Sequence, residues 1–219
     1  MPSFAVHLFA AKKIAEDAGL SVPAEFFLGA VAPDAVNMQD YAPEAVRYRA
    51  HFRVRDEAAW QRSLYDFLKT ESPRHSAPQT RGFVLGYFVH IATDLAWDQL
   101  VQPKLFAFLK AAGVAPAALK KAKWEEIFRL NDALMRREAW KTLRDALMAA
   151  RIPALDFIDE ALVEAHRTKL VRAKSGDKSG EATAFLTEEA VARTAERVTM
   201  YLKEACRSVS PQEATWGNM

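Results

Sequence analysis

Apolar residues recur along this chain at helical spacing, and prolines and glycines cut the pattern into segments. Ser3 caps a predicted first helix running towards Asp17, with Phe4, His7, Ala11 and Ile14 on one face and Gly19 at its end. His7 therefore points inward. Pro23 opens a short helix through Phe26, Phe27 and Leu28, closed by the turn Gly29-Ala30-Val31-Ala32-Pro33-Asp34. The pattern from Tyr41 to Arg55 is less regular, a helix is predicted from about Asp56 to Lys69, and Ser72 to Pro78 reads as a loop. A central helix follows from about Thr80 to Val101. Later helical runs cover Pro103 to Phe108, Lys120 to Ala150, Pro153 to Arg172 and, capped by Thr187, a last stretch to about Ser208. Residues 174–181 read as a mobile surface loop and 209–219 as a loose tail. No alternating run is long enough for a sheet, and no repeat of fixed period occurs. The predicted fold is all-α, a single-domain multi-helix bundle spanning residues 1–219.

Composition narrows the chemistry. With 50% apolar side chains in 219 residues, one sizeable core is within reach. The 30 basic residues nearly cancel the 28 acidic ones, so no overall field recruits nucleic acid or anionic membrane, no specific nucleic-acid partner is expected, and any attraction to phosphate must be local. A lone Cys206 excludes an intrachain disulfide framework and a cysteine-rich metal site, and reads as packing on the last helix. It fits a reducing, cytoplasmic setting. The first residues lack a basic region followed by an uninterrupted apolar core, and no stretch of 18 apolar residues occurs, so neither a signal peptide nor a transmembrane span is expected. Serine-hydrolase, P-loop and zincin signatures are missing.

Metal ligands in such a chain must be His, Asp or Glu. On the central helix, His90, Asp94 and Asp98 are spaced four apart and rise as a polar ladder among Phe83, Leu85, Phe88, Ile91 and Leu95. A carboxylate buried there is costly unless it is paired, and a bound cation is one way to pair it. The bland alternative is a neutral hydrogen-bonded His90–Asp94 pair in a helical core. A zinc-like ion wants about four nitrogen and oxygen donors, and Asp34, His51, His90 and Asp94 supply that number. His75 falls in a polar loop and reads as exposed, and His166 reads as a helix-surface residue. In Arg47-Tyr48-Arg49-Ala50-His51-Phe52-Arg53-Val54-Arg55, an extended chain would line up four arginines with His51 as a phosphate clamp, with Arg53 the candidate for a substrate phosphate. A helical chain would scatter them over a solvated basic face.

The order His7, then Leu28-Gly29-Ala30-Val31-Ala32-Pro33-Asp34, then His51-Phe52, then Leu85-Gly86-Tyr87-Phe88-Val89-His90-Ile91-Ala92-Thr93-Asp94 resembles the zinc-dependent phospholipase C family. That family belongs to a wider group of helical zinc phosphodiesterases that includes single-strand nucleases. The likeness spans roughly the first half of the chain. It implies a metal-dependent hydrolase acting on a small phosphoester or a phospholipid head group, with Asp34, His51, His90 and Asp94 holding one zinc. It also implies a second zinc on His7 with Asp94 as bridge, and Asp34 as the base that orients the attacking water. The family's later pair of histidines and glutamate has no counterpart after Asp94, where only His166 occurs and position 170 is leucine, so one or two ions are expected. Asp98 and Asp132, which follows Asn131, are weaker candidates to complete a reduced centre. Two other readings stay open: a non-catalytic protein with a structural or regulatory metal site, and a nuclease using the same centre.

Overall fold

A computed structural model of the chain describes residues 2–38, 42–174 and 184–208. The predicted mobile loop lies outside the described residues except at Lys174, and the tail lies wholly outside them. The described residues form helices and no strand: α1 Phe4–Asp17, α2 Ala24–Gly29, a 3-10 helix Ala32–Met38, α3 Glu44–Ala50, α4 Glu57–Glu71, α5 Pro78–Leu100, α6 Gln102–Ala111, α7 Leu119–Met135, α8 Glu138–Ala149, α9 Glu160–Arg172 and α10 Glu188–Ser208. None of these helices is long and apolar enough to cross a membrane.

The bundle is organised around α5. Every residue from Gly82 to Trp97 is buried, and a helix apolar on all sides belongs at the centre of its packing. Helices α1, α2, α4, α6 and α10 pack on it. The closest approach is to α2, where two glycines remove the side chains that would hold the backbones apart. A Cβ added at Gly86 would stand 2.0 Å from the Phe26 carbonyl oxygen, and one at Gly29 would stand 2.1 Å from that of Phe83. This contact seats the Gly29-to-Asp34 turn against the middle of α5.

Three boundaries differ from the sequence reading. The irregular stretch contains α3, and the run from Lys120 to Ala150 is two helices with a break at Arg136-Arg137, where Arg137 turns extended before Glu138 opens α8. No proline or glycine marks that break. Pro153 does not restart a helix; α9 begins at Glu160, where the Asp159 carboxylate accepts from the Leu162 N–H as a cap.

Glu126 anchors the far side of the bundle. The residue is 1% exposed, and its carboxylate accepts from the backbone N–H groups of Ala184, Phe185 and Leu186 just before α10. Arg129 also donates to it. Burial pushes its pKa up, but these donors outweigh that and hold the carboxyl below its usual range. Glu126→Ala leaves the buried Leu186 N–H without its partner and should lower the unfolding free energy by about 2 kcal/mol, read as a drop in the urea midpoint at unchanged slope.

Candidate metal centre

Four local structures bring the predicted ligands together. His7 rides the inward face of α1 and is fully buried. Asp34 lies in the 3-10 helix that follows the α2 turn. His51 caps the C-terminal end of α3, where the chain reverses through Phe52 in a left-handed conformation at φ 47°. A non-glycine residue there is strained, and the surroundings hold it: Phe52 packs on Phe67 and Tyr87, Tyr87 donates to the Ala50 carbonyl at 2.6 Å, and Trp60 donates to the His51 carbonyl at 2.9 Å. His90 and Asp94 stand one turn apart on α5, both 0% exposed.

Backbone contacts aim the imidazoles. His90 Nδ1 lies 2.8 Å from the Ala30 carbonyl and His51 Nδ1 2.8 Å from the Arg47 carbonyl, so each ring donates outward and turns Nε2 to the cluster. The His7 ring stacks on that of His90, centroids 3.8 Å apart and 7° from parallel. Asp94 faces all three rings. Its Oδ1 is 3.6 Å from His7 Nε2, and its Oδ2 is 3.6 Å from His51 Nε2 and 3.8 Å from His90 Nε2. His51 Nε2 is in turn 3.4 Å from Asp34 Oδ1 and 3.2 Å from His90 Nε2.

Those separations bear on the two readings of the ladder. Neither Asp94 oxygen and neither nitrogen of His7 has a hydrogen-bond partner, although all four atoms are buried. The gaps around Asp94 are too long for N–H···O bonds, which peak near about 2.9 Å. Two donors each about 2.1 Å from a tetrahedral ion lie about 3.4 Å apart, so the 3.2–3.8 Å spacings fit the edges of a zinc coordination shell. A neutral structural His–Asp pair would have closed to bonding distance. The ligand-capable atoms form two groups among the described residues, His7–His90–Asp94 and Asp34–His51–His90. With nitrogen and carboxylate donors and no thiolate, the donor set suits zinc or a similar divalent transition ion.

The remaining candidates fall elsewhere. Asp98 is engaged by the Arg53 guanidinium, which lies over the Trp60 ring at 4.7 Å, so the Arg53 head group faces a carboxylate and an indole. Asp132 is half-buried on α7 and joins neither group. The Arg47-to-Ala50 segment is helical; Arg47 donates to the Ala42 carbonyl, while Arg49 and Arg55 are exposed, so the four arginines do not form one clamp. His75 is partly covered and pairs with Glu71 at 3.3 Å, and Cys206 is half-buried.

His166 corrects the sequence reading. It is 9% exposed, it bonds the Val31 backbone, and α9 packs on the 3-10 helix that carries Asp34. Burial pushes its pKa down. The signal was present: Val163, His166 and Leu170 share one buried face of α9.

Access is asymmetric. His7, His90 and Asp94 are sealed and His51 nearly so, whereas the Asp34 side chain keeps 18% of its surface and forms the solvent edge of the cluster. Two surface grooves, of about 430 and 270 Å³, lie elsewhere, against Phe9, Lys12 and Leu134 and against Met148 and Arg167. Compared with protein-family models, curated proteins and solved structures, the chain matches none.

The charges predict how a metal competes with protons. Burial pushes the His7 pKa well below its ordinary 6.5 and lowers that of His90 as well, so both rings are neutral at pH 7. For Asp34, burial raises the pKa, but the His51 ring 3.4 Å away outweighs it and keeps the carboxylate ionised. Burial lowers His51 too, yet Asp34 and the Asp94 charge more than offset it and raise its pKa above 6.5. His51 is thus the one ring that must lose a proton. Zinc affinity of the folded protein should fall as the pH drops through the raised His51 and Asp94 pKa values, because both groups must give up a proton to hold the ion, and calorimetric titrations across that range measure it. For folding, the neutral His7 and His90 act in the opposite sense. Below about pH 6.5 the unfolded chain takes up protons that these rings refuse, so acid destabilises the metal-free protein through them.

Proposed function

We propose that this protein is a metal-dependent phosphoester hydrolase, with one or two zinc-class ions held by His7, Asp34, His51, His90 and Asp94. The observation that supports the reading most is the Asp94 carboxylate, which is buried, free of hydrogen bonds and aimed with one oxygen at His7 and the other at His51 and His90. A carboxylate facing both donor groups suits a bridge in a two-ion site. Cysteine-free, carboxylate-bridged donor sets belong to hydrolytic chemistry more than to structural zinc, which favours closed tetrahedral shells rich in thiolate. A divalent ion there supplies Lewis-acid stabilisation of phosphoryl oxygens and lowers the pKa of water. The protein's part is to fix the imidazole tautomers through Ala30 and Arg47, exclude water on the α5 side and present Asp34 at the wet edge, where its ionised carboxylate orients water and accepts a proton. The likeness to zinc-dependent phospholipase C supports a phosphodiester as substrate class.

The burial of four of the five residues favours a second reading, a closed structural or regulatory metal site. Hydrolysis of a chromogenic bis-phosphodiester by zinc-reconstituted protein separates the two. The hydrolase reading expects metal-dependent turnover that falls about 100-fold or more in Asp34→Asn even at zinc concentrations that saturate the variant. Stoichiometric zinc and a zinc-raised melting temperature without turnover would establish the structural site instead.

A further inference from the structure

The outer face of α7 carries features that the metal centre does not use. Lys120, Trp124 and Phe128 are spaced four apart and share one side of the helix. Phe128 is 59% exposed, an unusual position for a phenyl ring, and it stacks on half-buried Trp124 with centroids 5.7 Å apart. Lys123 holds its ammonium 4.7 Å above the Trp124 ring, and Lys120 and Lys121 are exposed beside it.

The sequence hides how cationic this face is. Residues 120–126 read as three lysines against two glutamates, but Glu126 is turned inside to the backbone ahead of α10. Only Glu125 remains outside, 3.9 Å from Lys121. The outer face is left with aromatic rings ringed by lysines. That combination fits a lipid headgroup layer, in which aromatic rings sit at the boundary while lysine stems lie along them and the ammonium groups reach anionic phosphates. Two rings are too small for a stable protein interface, which covers about 800 Å² on each partner.

We infer that this face of α7 docks the protein on an anionic phospholipid surface. The patch continues towards the metal centre: Lys123 lies within electrostatic reach of Arg53 and Asp98, and Asp98 stands one turn beyond Asp94 on α5. Docking through α7 therefore brings the Arg53 end of α5 to the headgroup layer. The purpose of the docking rests on the phosphodiesterase reading; the binding itself does not.

The test is co-sedimentation of the full chain, loaded with zinc, with vesicles of phosphatidylglycerol and phosphatidylcholine and with vesicles of phosphatidylcholine alone. The wild type should pellet with the mixed vesicles only, and added salt should release it. Phe128→Ala should bind several-fold less, and Lys120→Gln with Lys121→Gln should lose roughly fivefold for each charge removed. These exposed positions leave the fold intact, which an unchanged circular dichroism spectrum and zinc content verify. No pelleting of the wild type, equal pelleting with phosphatidylcholine alone, or undiminished binding of the variants overturns the inference. Displacement by millimolar inorganic phosphate also overturns it, because it marks a site for a single phosphate group. Hydrolysis of a soluble diester by Phe128→Ala should match wild type. Failure of hydrolysis with vesicle binding intact therefore removes the enzyme reading alone, and the reverse result removes the docking alone.

Discussion

Replacing Asp94 with alanine should abolish the stabilisation that zinc gives this protein without lowering the melting temperature of the metal-free form. In the wild type, zinc at about 100 times its dissociation constant adds roughly 2.7 kcal/mol to the unfolding free energy. For a chain of this size that is a rise of roughly 5–10 °C. Asp94→Ala loses the residue that faces both donor groups, so the rise should vanish. The metal-free comparison is the sharper half. Burial raises the Asp94 pKa because the ionised carboxylate sits fully enclosed, and none of its oxygens accepts a hydrogen bond. Removing an unsatisfied buried charge offsets the loss of a few packing contacts. Paired calorimetric scans with chelator and with zinc measure both. A metal-free variant that melts several degrees lower, and still gains from zinc, would mean that Asp94 is an ordinary structural partner.

Gly86→Ala should be the most damaging small substitution in the core. Alanine is favoured over glycine in a helix by about 1 kcal/mol, so an open position would gain stability. Here the new Cβ meets the Phe26 carbonyl oxygen at 2.0 Å and the Ala30 nitrogen at 2.9 Å, and both are backbone atoms of the α2 segment that cannot rotate away. Helix α2 must shift off α5. That shift also stretches the 2.8 Å contact of Ala30 with His90 Nδ1, which orients the ring. The combined loss should be about 3 kcal/mol in urea unfolding, with zinc affinity at least tenfold weaker. Gly113→Ala is the control: its Cβ meets nothing within 4 Å, and only the left-handed backbone at φ 79° penalises it, by about 1 kcal/mol. Similar losses at both glycines would show that the α2–α5 contact does not hold the site.

The parts of this architecture that are local were legible in the sequence. His90 and Asp94 share a helix face because four residues make about one turn, and His7 lies inward because Phe4, Ala11 and Ile14 do. Convergence was not legible from spacing. Asp34 reaches His51 through the close α2–α5 glycine contact, and His51 reaches Asp94 through a left-handed Phe52 that no propensity favours. The order of motifs along the chain suggested the meeting, but spacing could not supply its distances. The α7–α8 break was missed because two arginines carry no breaker chemistry, and the inward turn of Glu126 because its partners are backbone groups almost sixty residues away. His166 was misjudged for a different reason. Its charged neighbours Arg167 and Lys169 suggested a surface, while its own face of α9 is apolar.

The most direct test of the central claim is the anomalous scattering of zinc in crystals of the protein grown or soaked at neutral pH. The account predicts a peak within about 2.0–2.2 Å of His51 Nε2, His90 Nε2 and a carboxylate oxygen of Asp94, with a second between His7 and Asp94 where two ions bind. Zinc found only at surface pairs such as His75 and Glu71, with the α5 cluster empty, would contradict it and leave His90 and Asp94 as a packed core.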